Sequence, residues 1–160
     1  MRRYLSLAVL ALAAAGTARG GGDPLARFNV VAIKPASTSL FLATVSMSFQ
    51  PFVLHRTVFS STYSARVFPY FFWSEKGRIW IVVPADGLSR ADHGETIAFT
   101  GHARNEAGEE RKVEGHATPT GPLGGNIQVR VYVSRRIFLT YDSTYELRGA
   151  APAQGVVIPR

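Results

Sequence analysis

The chain has 160 residues and no cysteine, 46% of its residues are hydrophobic, and its formal net charge is +7. This length supports one domain with a hydrophobic core of its own. The lack of cysteine excludes disulfide bonds, thiolate catalysis and metal centres with cysteine ligands. Packing alone must therefore stabilise the fold.

The N-terminal segment has the three-part layout of a secretory signal peptide. A basic start at residues 1–4 precedes the apolar run LSLAVLALAAA at residues 5–15, and small residues follow at 16–18. An apolar run of roughly ten residues is too short to cross a bilayer as a helix. We therefore predict a signal peptide at 1–18, a flexible lead-in at 19–27, and export to the periplasm or cell surface of a bacterium. We predict no transmembrane helix.

Three short apolar segments with strand character follow the lead-in. Residues 28–33 (FNVVAI), 37–49 and 52–59 (FVLHRTVF) are each predicted to form one strand, and Pro35 and Pro51 separate them. The second segment alternates strictly between two faces, one of which is mostly apolar. This alternation predicts a single long strand there.

A central hairpin is predicted at residues 63–83 (YSARVFPYFFWSEKGRIWIVV). A turn at residues 74–77 would place Trp73 opposite Ile79. Pro69 cannot donate to a ladder, so the first strand must be bulged, bent or at an edge there. In this register one face carries Phe71, Trp73, Ile79, Ile81 and Val83, and the other carries Arg66, Phe68, Tyr70, Phe72, Arg78 and Trp80.

A short helix and a second hairpin are predicted next. Residues 84–94 (PADGLSRADHG) favour one or two helical turns near 86–93, which we interpret as a lid over one end of the sheets. The second hairpin joins residues 95–103 to residues 110–118 through a turn that ends at Gly108. This turn places Phe99 opposite Gly115 and Gly101 opposite Val113. The turn and the apolar alternation predict the same register.

The last two strands are predicted at residues 126–134 and 137–147. A tight turn between them, at Arg135 and Arg136, would direct Asp142 into the core. We therefore expect a bulge or a crossing between sheets at this point. Residues 149–160 are rich in alanine, glycine and proline and are predicted to form a loose tail.

Eight or nine strands in one domain over residues 28–148 predict an all-β fold. Antiparallel hairpins with one apolar face indicate a two-sheet sandwich. It would be immunoglobulin-like in architecture only, because the cysteine–tryptophan–cysteine framework of that family is missing. Architecture alone does not predict a function.

No catalytic, metal or cofactor site is predicted. His102 and His116 face outward on paired strands, but the register separates them by roughly 13 Å along the strands, too far to share a zinc ion. No strained serine turn, carboxylate pair or phosphate-binding glycine loop is present. Asp142 is the only acidic residue within an apolar strand and is a weak catalytic candidate by itself.

The aromatic and arginine face of the central hairpin is the candidate binding surface. Aromatic rings stack on sugars or apolar ligands, and guanidinium groups favour acidic groups. Its residues are Arg66, Phe68, Tyr70, Phe72, Arg78 and Trp80. The face could equally be a second core layer or a self-association surface. Nucleic acid is a poor partner for an exported chain.

We therefore predict an exported, non-catalytic binding or structural domain of the bacterial envelope, with protein or carbohydrate as the possible partner. Two alternatives remain open. One is a small secreted sugar-active or other hydrolytic enzyme, which would show a concave pocket with converging polar groups. The other is a small outer-membrane β-barrel.

Overall fold

The computed structural model describes residues 28–149, which form ten strands and two short helices. The strands are β1 (Phe28–Ile33), β2 (Ala36–Leu40), β3 (Ala43–Phe49), β4 (Phe52–His55), β5 (Val58–Phe68), β6 (Glu75–Val82), β7 (Ile97–Asn105), β8 (Glu110–Gly121), β9 (Gly124–Tyr132) and β10 (Phe138–Gly149). A 3-10 helix spans Phe71–Trp73, and helix α1 spans Gly87–Asp92. Neither helix of this region is long and apolar enough to cross a membrane. The predicted signal peptide, the lead-in and residues 150–160 of the tail lie outside the described residues.

The strands form a closed antiparallel barrel, so the predicted sandwich is wrong. Eight strands, β1 and β4 to β10, follow one another around the ring, and β5 closes it by pairing with β4 on one edge and β6 on the other. Strands β2 and β3 lie outside this ring. An alternating strand has the same sequence pattern in a sandwich and in a barrel, because in both cases one face points to the core. The all-β class and the antiparallel pairing are confirmed.

The two outer strands extend the barrel wall. Val31 of β1 pairs with Phe52 of β4, and five residues further along, Ala36 of β2 pairs with Met47 of β3. The register is therefore unbroken across the two interruptions. Strand β3 also pairs with the last six residues of β5, from Tyr63 to Phe68. The β2–β3 hairpin thus projects past the ring at one end of the barrel.

Two predicted single strands are in fact hairpins. The chain turns at Phe41 and Leu42, between β2 and β3, and again at Arg56 and Thr57, between β4 and β5. Phe41 has φ +53° and Arg56 has φ +60°, so each turn is made by a left-handed residue other than glycine. A two-residue turn shifts the inward positions by one residue: Ala36, Thr38 and Leu40 before the first turn lie on the same face as Ala43, Val45 and Met47 after it. The uninterrupted apolar run at residues 40–43 conceals this shift in the sequence.

The predicted register of the central hairpin is also wrong. Phe59 pairs with Ile81 and Tyr63 pairs with Gly77, so the connection lies at residues 69–74 instead of 74–77. The ladder stops just before Pro69, which follows a cis peptide bond. The apolar run continues past that proline into the 3-10 helix, where Phe71, Phe72 and Trp73 are exposed, contrary to the prediction for Phe71 and Trp73. Ile79 and Ile81 are buried as predicted.

The second hairpin and the lid are confirmed. Phe99 pairs with Gly115, and Gly101 pairs with Val113. Gly108 has φ +86° and donates its backbone N–H to the carbonyl oxygen of Asn105, as a left-handed glycine in this turn should. Helix α1 contacts β7 and β8 and covers one end of the barrel.

Strands β9 and β10 are direct neighbours, so the predicted crossing between sheets is wrong. Tyr132 pairs with Phe138, and residues 133–137 form the loop. The five-residue loop shifts the register by one residue relative to the register that a tight turn at Arg135 and Arg136 would give. As a result Tyr141 points into the barrel, and Asp142 lies outside, where its Oδ1 accepts a hydrogen bond of 2.7 Å from Gln128.

The barrel interior contains the hydrophobic core. All buried side chains in residues 28–149 are aliphatic or aromatic, and Val113 is completely buried. The wall contributes these side chains from alternate positions, so the outward positions carry serine, threonine, arginine, lysine, histidine and glutamate. The interior is therefore apolar except at one end, where Glu75, Asn105 and Arg111 also occupy inward positions, and the outer wall is largely polar.

Candidate functional site

One end of the barrel opens into a large cavity. The connections β2–β3, β5–β6, β7–β8 and β9–β10 all lie at this end, since successive strands run antiparallel. The cavity has a volume of about 1360 Å³ and takes lining residues from all four connections. Its floor consists of buried side chains of the barrel interior, namely Met47, Ala65, Val131, Leu139 and Tyr141. We call this end the open end.

The opposite end is closed by helix α1. A second, smaller cavity of about 110 Å³ lies there, and Leu88 and Ala91 of the helix cover it. The two cavities occupy successive levels of the same strands: β10 contributes Tyr141 to the open end and Tyr145 to the closed end. The smaller cavity is lined almost entirely by apolar groups and is too small for a drug-sized ligand.

A polar cluster is built around the carboxylate of Glu75 on the wall of the larger cavity. Its Oε1 accepts a hydrogen bond of 2.9 Å from the Tyr63 hydroxyl, and its Oε2 accepts one of 3.0 Å from the amide of Asn105. Arg111 lies 3.4 Å from the same Oε2 and also binds Glu109. We call these five residues the Glu75 cluster. It joins strands β5, β6, β7 and β8 where they reach the open end.

The Glu75 cluster is partly shielded from water. The side chains of Arg111 and Glu75 are 16% and 26% exposed, whereas that of Glu109 is 58% exposed. The hydrogen bond from Arg111 and a second one from Asn105 lower the pKa of Glu109. Both oxygens of Glu75 are already held by donors, so this carboxylate has a structural role at the cavity wall.

Three buried tyrosines lie in the barrel: Tyr63, Tyr141 and Tyr145. Burial raises the pKa of each of them above the ordinary value of a phenol, and for Tyr63 the hydrogen bond to Glu75 raises the pKa further. All three are therefore neutral hydroxyls at physiological pH. A neutral hydroxyl can donate one hydrogen bond and accept others.

The hydroxyl of Tyr141 has no hydrogen-bond partner among residues 28–149. Tyr141 is only 2% exposed and lines the floor of the larger cavity. Leaving a buried polar group unpaired costs roughly 1–3 kcal/mol, and unpaired groups in native structures are often functional. The hydroxyl oxygen is enclosed by its neighbours, so it is a buried polar group beneath the floor and not a contact for a molecule in the cavity.

An exposed apolar rim surrounds the opening. Phe68 packs edge-on against Phe71 at 5.7 Å between ring centroids, and Trp73 lies 4.9 Å from Tyr70 and 5.2 Å from Phe72. Phe41 and Leu42, at the tip of the β2–β3 hairpin, are 92% and 84% exposed. We call the six exposed side chains the rim: Phe41, Leu42, Phe68, Phe71, Phe72 and Trp73.

The structure divides the predicted binding face into two groups. Arg66, Phe68, Tyr70 and Phe72 lie at the open end. Arg78 and Trp80 lie instead on the outer wall of β6, where Trp80 stacks on His102 with ring centroids 4.9 Å apart. The face predicted from the hairpin register is thus not one surface. Whether any of its residues binds a ligand stays a prediction.

Sequence reasoning missed Tyr141, the Glu75 cluster and the tip of the β2–β3 hairpin. The period-two pattern of Leu139, Tyr141 and Tyr145 already indicated an inward tyrosine. No sequence signal connects Glu75 with Arg111, because their contact depends on the pairing of β6, β7 and β8.

The histidine register is as predicted: His102 pairs with Lys112, and His116 pairs with Ala98. Within residues 28–149, no three histidine or acidic side chains are grouped so that they could hold a metal ion. In comparisons with known proteins, no family model, curated protein or solved structure matches this chain. Its function must therefore be inferred from the site itself.

Proposed function

We propose that the protein is an exported, non-catalytic binding domain of the bacterial envelope, and that its open barrel end takes up a small apolar molecule. The observation that carries this proposal is the apolar floor of a cavity of about 1360 Å³, whose opening is surrounded by the exposed rim. Eight-stranded barrels are just wide enough to hold one small ligand among their interior side chains. The signal-like N-terminus supports export.

The polar groups of the site favour binding over hydrolysis. A general base needs a lone pair directed at the substrate, but the carboxylate of Glu75 already accepts hydrogen bonds from Tyr63, Asn105 and Arg111. Asp142, the candidate acid of the sequence, lies outside the barrel and is bound by Gln128. The cavity is concave, as an enzyme site would be, but its polar groups support one another and do not converge on a common point.

The distribution of polarity also favours a barrel in water over the outer-membrane alternative. Outward positions on β7 and β8 include Thr100, His102, Lys112 and Glu114. An outer-membrane barrel has the opposite arrangement, with an apolar band outside and polar groups within. The floor of the cavity is apolar, and the polar groups of the Glu75 cluster on its wall are bonded to one another. This arrangement favours a lipophilic small molecule over carbohydrate, whose hydroxyl groups would need free partners.

Binding can be tested with the neutral fluorescent probe N-phenyl-1-naphthylamine, which is apolar and has one N–H group. We expect its fluorescence to increase on binding, and we expect dodecane to displace it. Ala65→Phe adds a ring to the cavity floor and should weaken probe binding at least tenfold, since overpacked sites lose roughly 1–3 kcal/mol. Ala98→Phe, on the exposed outer wall, is the matched control and should have no effect.

A probe that does not bind the wild-type protein, or that binds the Ala65→Phe variant with wild-type affinity, would refute the proposal. Circular dichroism of both variants checks that the barrel is intact, so that lost binding is not mistaken for lost folding.

A further inference from the structure

Exposed apolar side chains are concentrated at the open end. Of the twelve large hydrophobic side chains that are exposed in residues 28–149, only Val53, Val82 and Leu123 lie elsewhere. The remaining nine comprise the rim and three residues of the β9–β10 loop and its flank, Val133, Ile137 and Phe138. Contiguous exposed apolar patches of this kind mark interaction sites.

Unpaired cations accompany this apolar surface. Arg66 and Lys76 flank the rim on β5 and β6, and Arg135 and Arg136 lie in the loop between β9 and β10. All four are exposed, and none makes an ion pair with a described residue.

The acids of the open end only partly offset its cations. Glu75 and Glu109 share one guanidinium, that of Arg111, and Glu110 pairs with Arg104. Glu106 has no ion pair within residues 28–149. With the four unpaired cations, the described residues of this end carry six positive and four negative charges, so the end is positively charged.

We propose that the open end docks onto an anionic lipid surface, with the rim inserted among the headgroups and the four cations at the headgroup level. Aromatic side chains prefer the membrane interface, and basic residues next to them are attracted to acidic lipids. The inference does not depend on the ligand-binding proposal, since the rim can dock whether or not the cavity is occupied.

Charge favours lipid over a second copy of the chain as the occupant of this surface. Two copies that met rim to rim would bring Arg66, Lys76, Arg135 and Arg136 close to their own equivalents. Such a dimer would gain apolar contact but would also bring like charges together. An anionic bilayer provides an apolar layer and the complementary charge at once.

The test uses residues 19–160, the form left by the predicted signal cleavage, because the apolar run at 5–15 would itself enter lipid. This form contains the whole closed barrel. We expect it to cosediment with vesicles of 30% phosphatidylglycerol in phosphatidylcholine much more strongly than with phosphatidylcholine alone, and to dissociate at high salt.

The two tryptophans of the chain report the orientation. Trp80→Phe leaves Trp73 on the rim, whose fluorescence should shift to the blue and be quenched by brominated lipid. Trp73→Phe leaves Trp80 on the outer wall, stacked on His102, and should show little quenching. Equal quenching of the two variants would contradict the proposed orientation.

Two pairs of variants separate the charge effect from the apolar effect. Arg135→Glu with Arg136→Glu should weaken vesicle binding at least tenfold, since each basic residue near an anionic surface contributes roughly fivefold. Arg56→Glu with Arg78→Glu changes the net charge equally but away from the open end, and should have a smaller effect. Phe41→Asn with Phe72→Ser alters only exposed side chains and should also weaken binding roughly tenfold.

Three results would overturn the proposal: equal binding to neutral and anionic vesicles, equal losses in the two charge-reversal variants, and no vesicle binding by the wild-type protein. Light scattering of the free protein gives the oligomeric state. A dimer that Phe41→Asn with Phe72→Ser dissociates, together with no vesicle binding, would assign the surface to self-association instead.

Discussion

Replacing Tyr141 with phenylalanine should stabilise the fold. The substitution removes one buried oxygen that has no partner in residues 28–149, and such a group costs roughly 1–3 kcal/mol. We expect the free energy of unfolding to increase by about 1 kcal/mol, which raises Tm by about 3–5 °C for a domain of this size.

Tyr63→Phe is the matched control, since it removes the same atom from a different environment. The Tyr63 hydroxyl donates to Glu75 at 2.9 Å, and a hydrogen bond to a charged group contributes about 1.5–3 kcal/mol. This variant should therefore be less stable than the wild type. Urea unfolding followed by circular dichroism measures both effects, with an unchanged m-value as the check for two-state behaviour. If Tyr141→Phe loses as much stability as Tyr63→Phe, the hydroxyl of Tyr141 has a partner and the reasoning fails.

Three further predictions concern the barrel itself. Arg111→Ala breaks a partly buried ion pair and should lower the free energy of unfolding in urea by about 2 kcal/mol. Arg104→Ala breaks an exposed pair and should lower it by less than about 1 kcal/mol. Equal losses in the two variants would contradict the role given to the Glu75 cluster. Gly115→Ala would place a methyl group 2.4 Å from the Phe99 ring and should lower Tm, while Gly121→Ala meets nothing within 4 Å and should leave Tm unchanged. Burial raises the pKa of the three buried tyrosines, so the folded state holds their protons more tightly than the unfolded state does. These tyrosines should therefore leave the free energy of unfolding unchanged below about pH 10. Above that pH the free energy of unfolding should fall by about 1.4 kcal/mol per pH unit for each tyrosine. Urea titrations at pH 9 and pH 11 that give equal stabilities would refute this prediction.

The fold could be predicted from the sequence where the turn residues and the apolar alternation indicate the same strand pairing. In the second hairpin, Gly108 supplies the left-handed residue that the turn needs, and the alternation around Phe99 and Val113 gives the same register. The helix after β6 was likewise predictable, because Asp86 stands at its N-cap position and Gly94, with φ +77°, follows its C-terminus. These elements depend on residues close together in the chain.

The register predicted from the sequence is wrong where a turn lacks its usual glycine. Phe41 and Arg56 adopt positive φ without being glycine, asparagine or aspartate, so nothing in the sequence marks the two-residue turns there. In the central hairpin the opposite error occurred, because Gly77 suggested a turn that the chain does not make. Gly77 lies instead within β6, paired with Tyr63 and with Asn105 on its two sides.

Barrel closure and the candidate site could not be predicted from the sequence, and the reason is the same for both. Closure depends on the pairing of β1 with β10, whose residues are more than a hundred positions apart in the chain. The contact between Glu75 and Arg111 crosses three strands, and the cavity exists only because the ring is closed. Periodicity identifies which side chains point inward, but it does not show what they enclose.

Within residues 28–149, helix α1 covers the end of the barrel opposite the larger cavity. A guest molecule that enters at the open end arrives and leaves along the same path, past Phe72 and Trp73. Anything that obstructs this passage would slow association and dissociation by the same factor and leave the equilibrium dissociation constant unchanged. Exchange kinetics in this protein should therefore respond to changes at the entrance that equilibrium titrations do not detect.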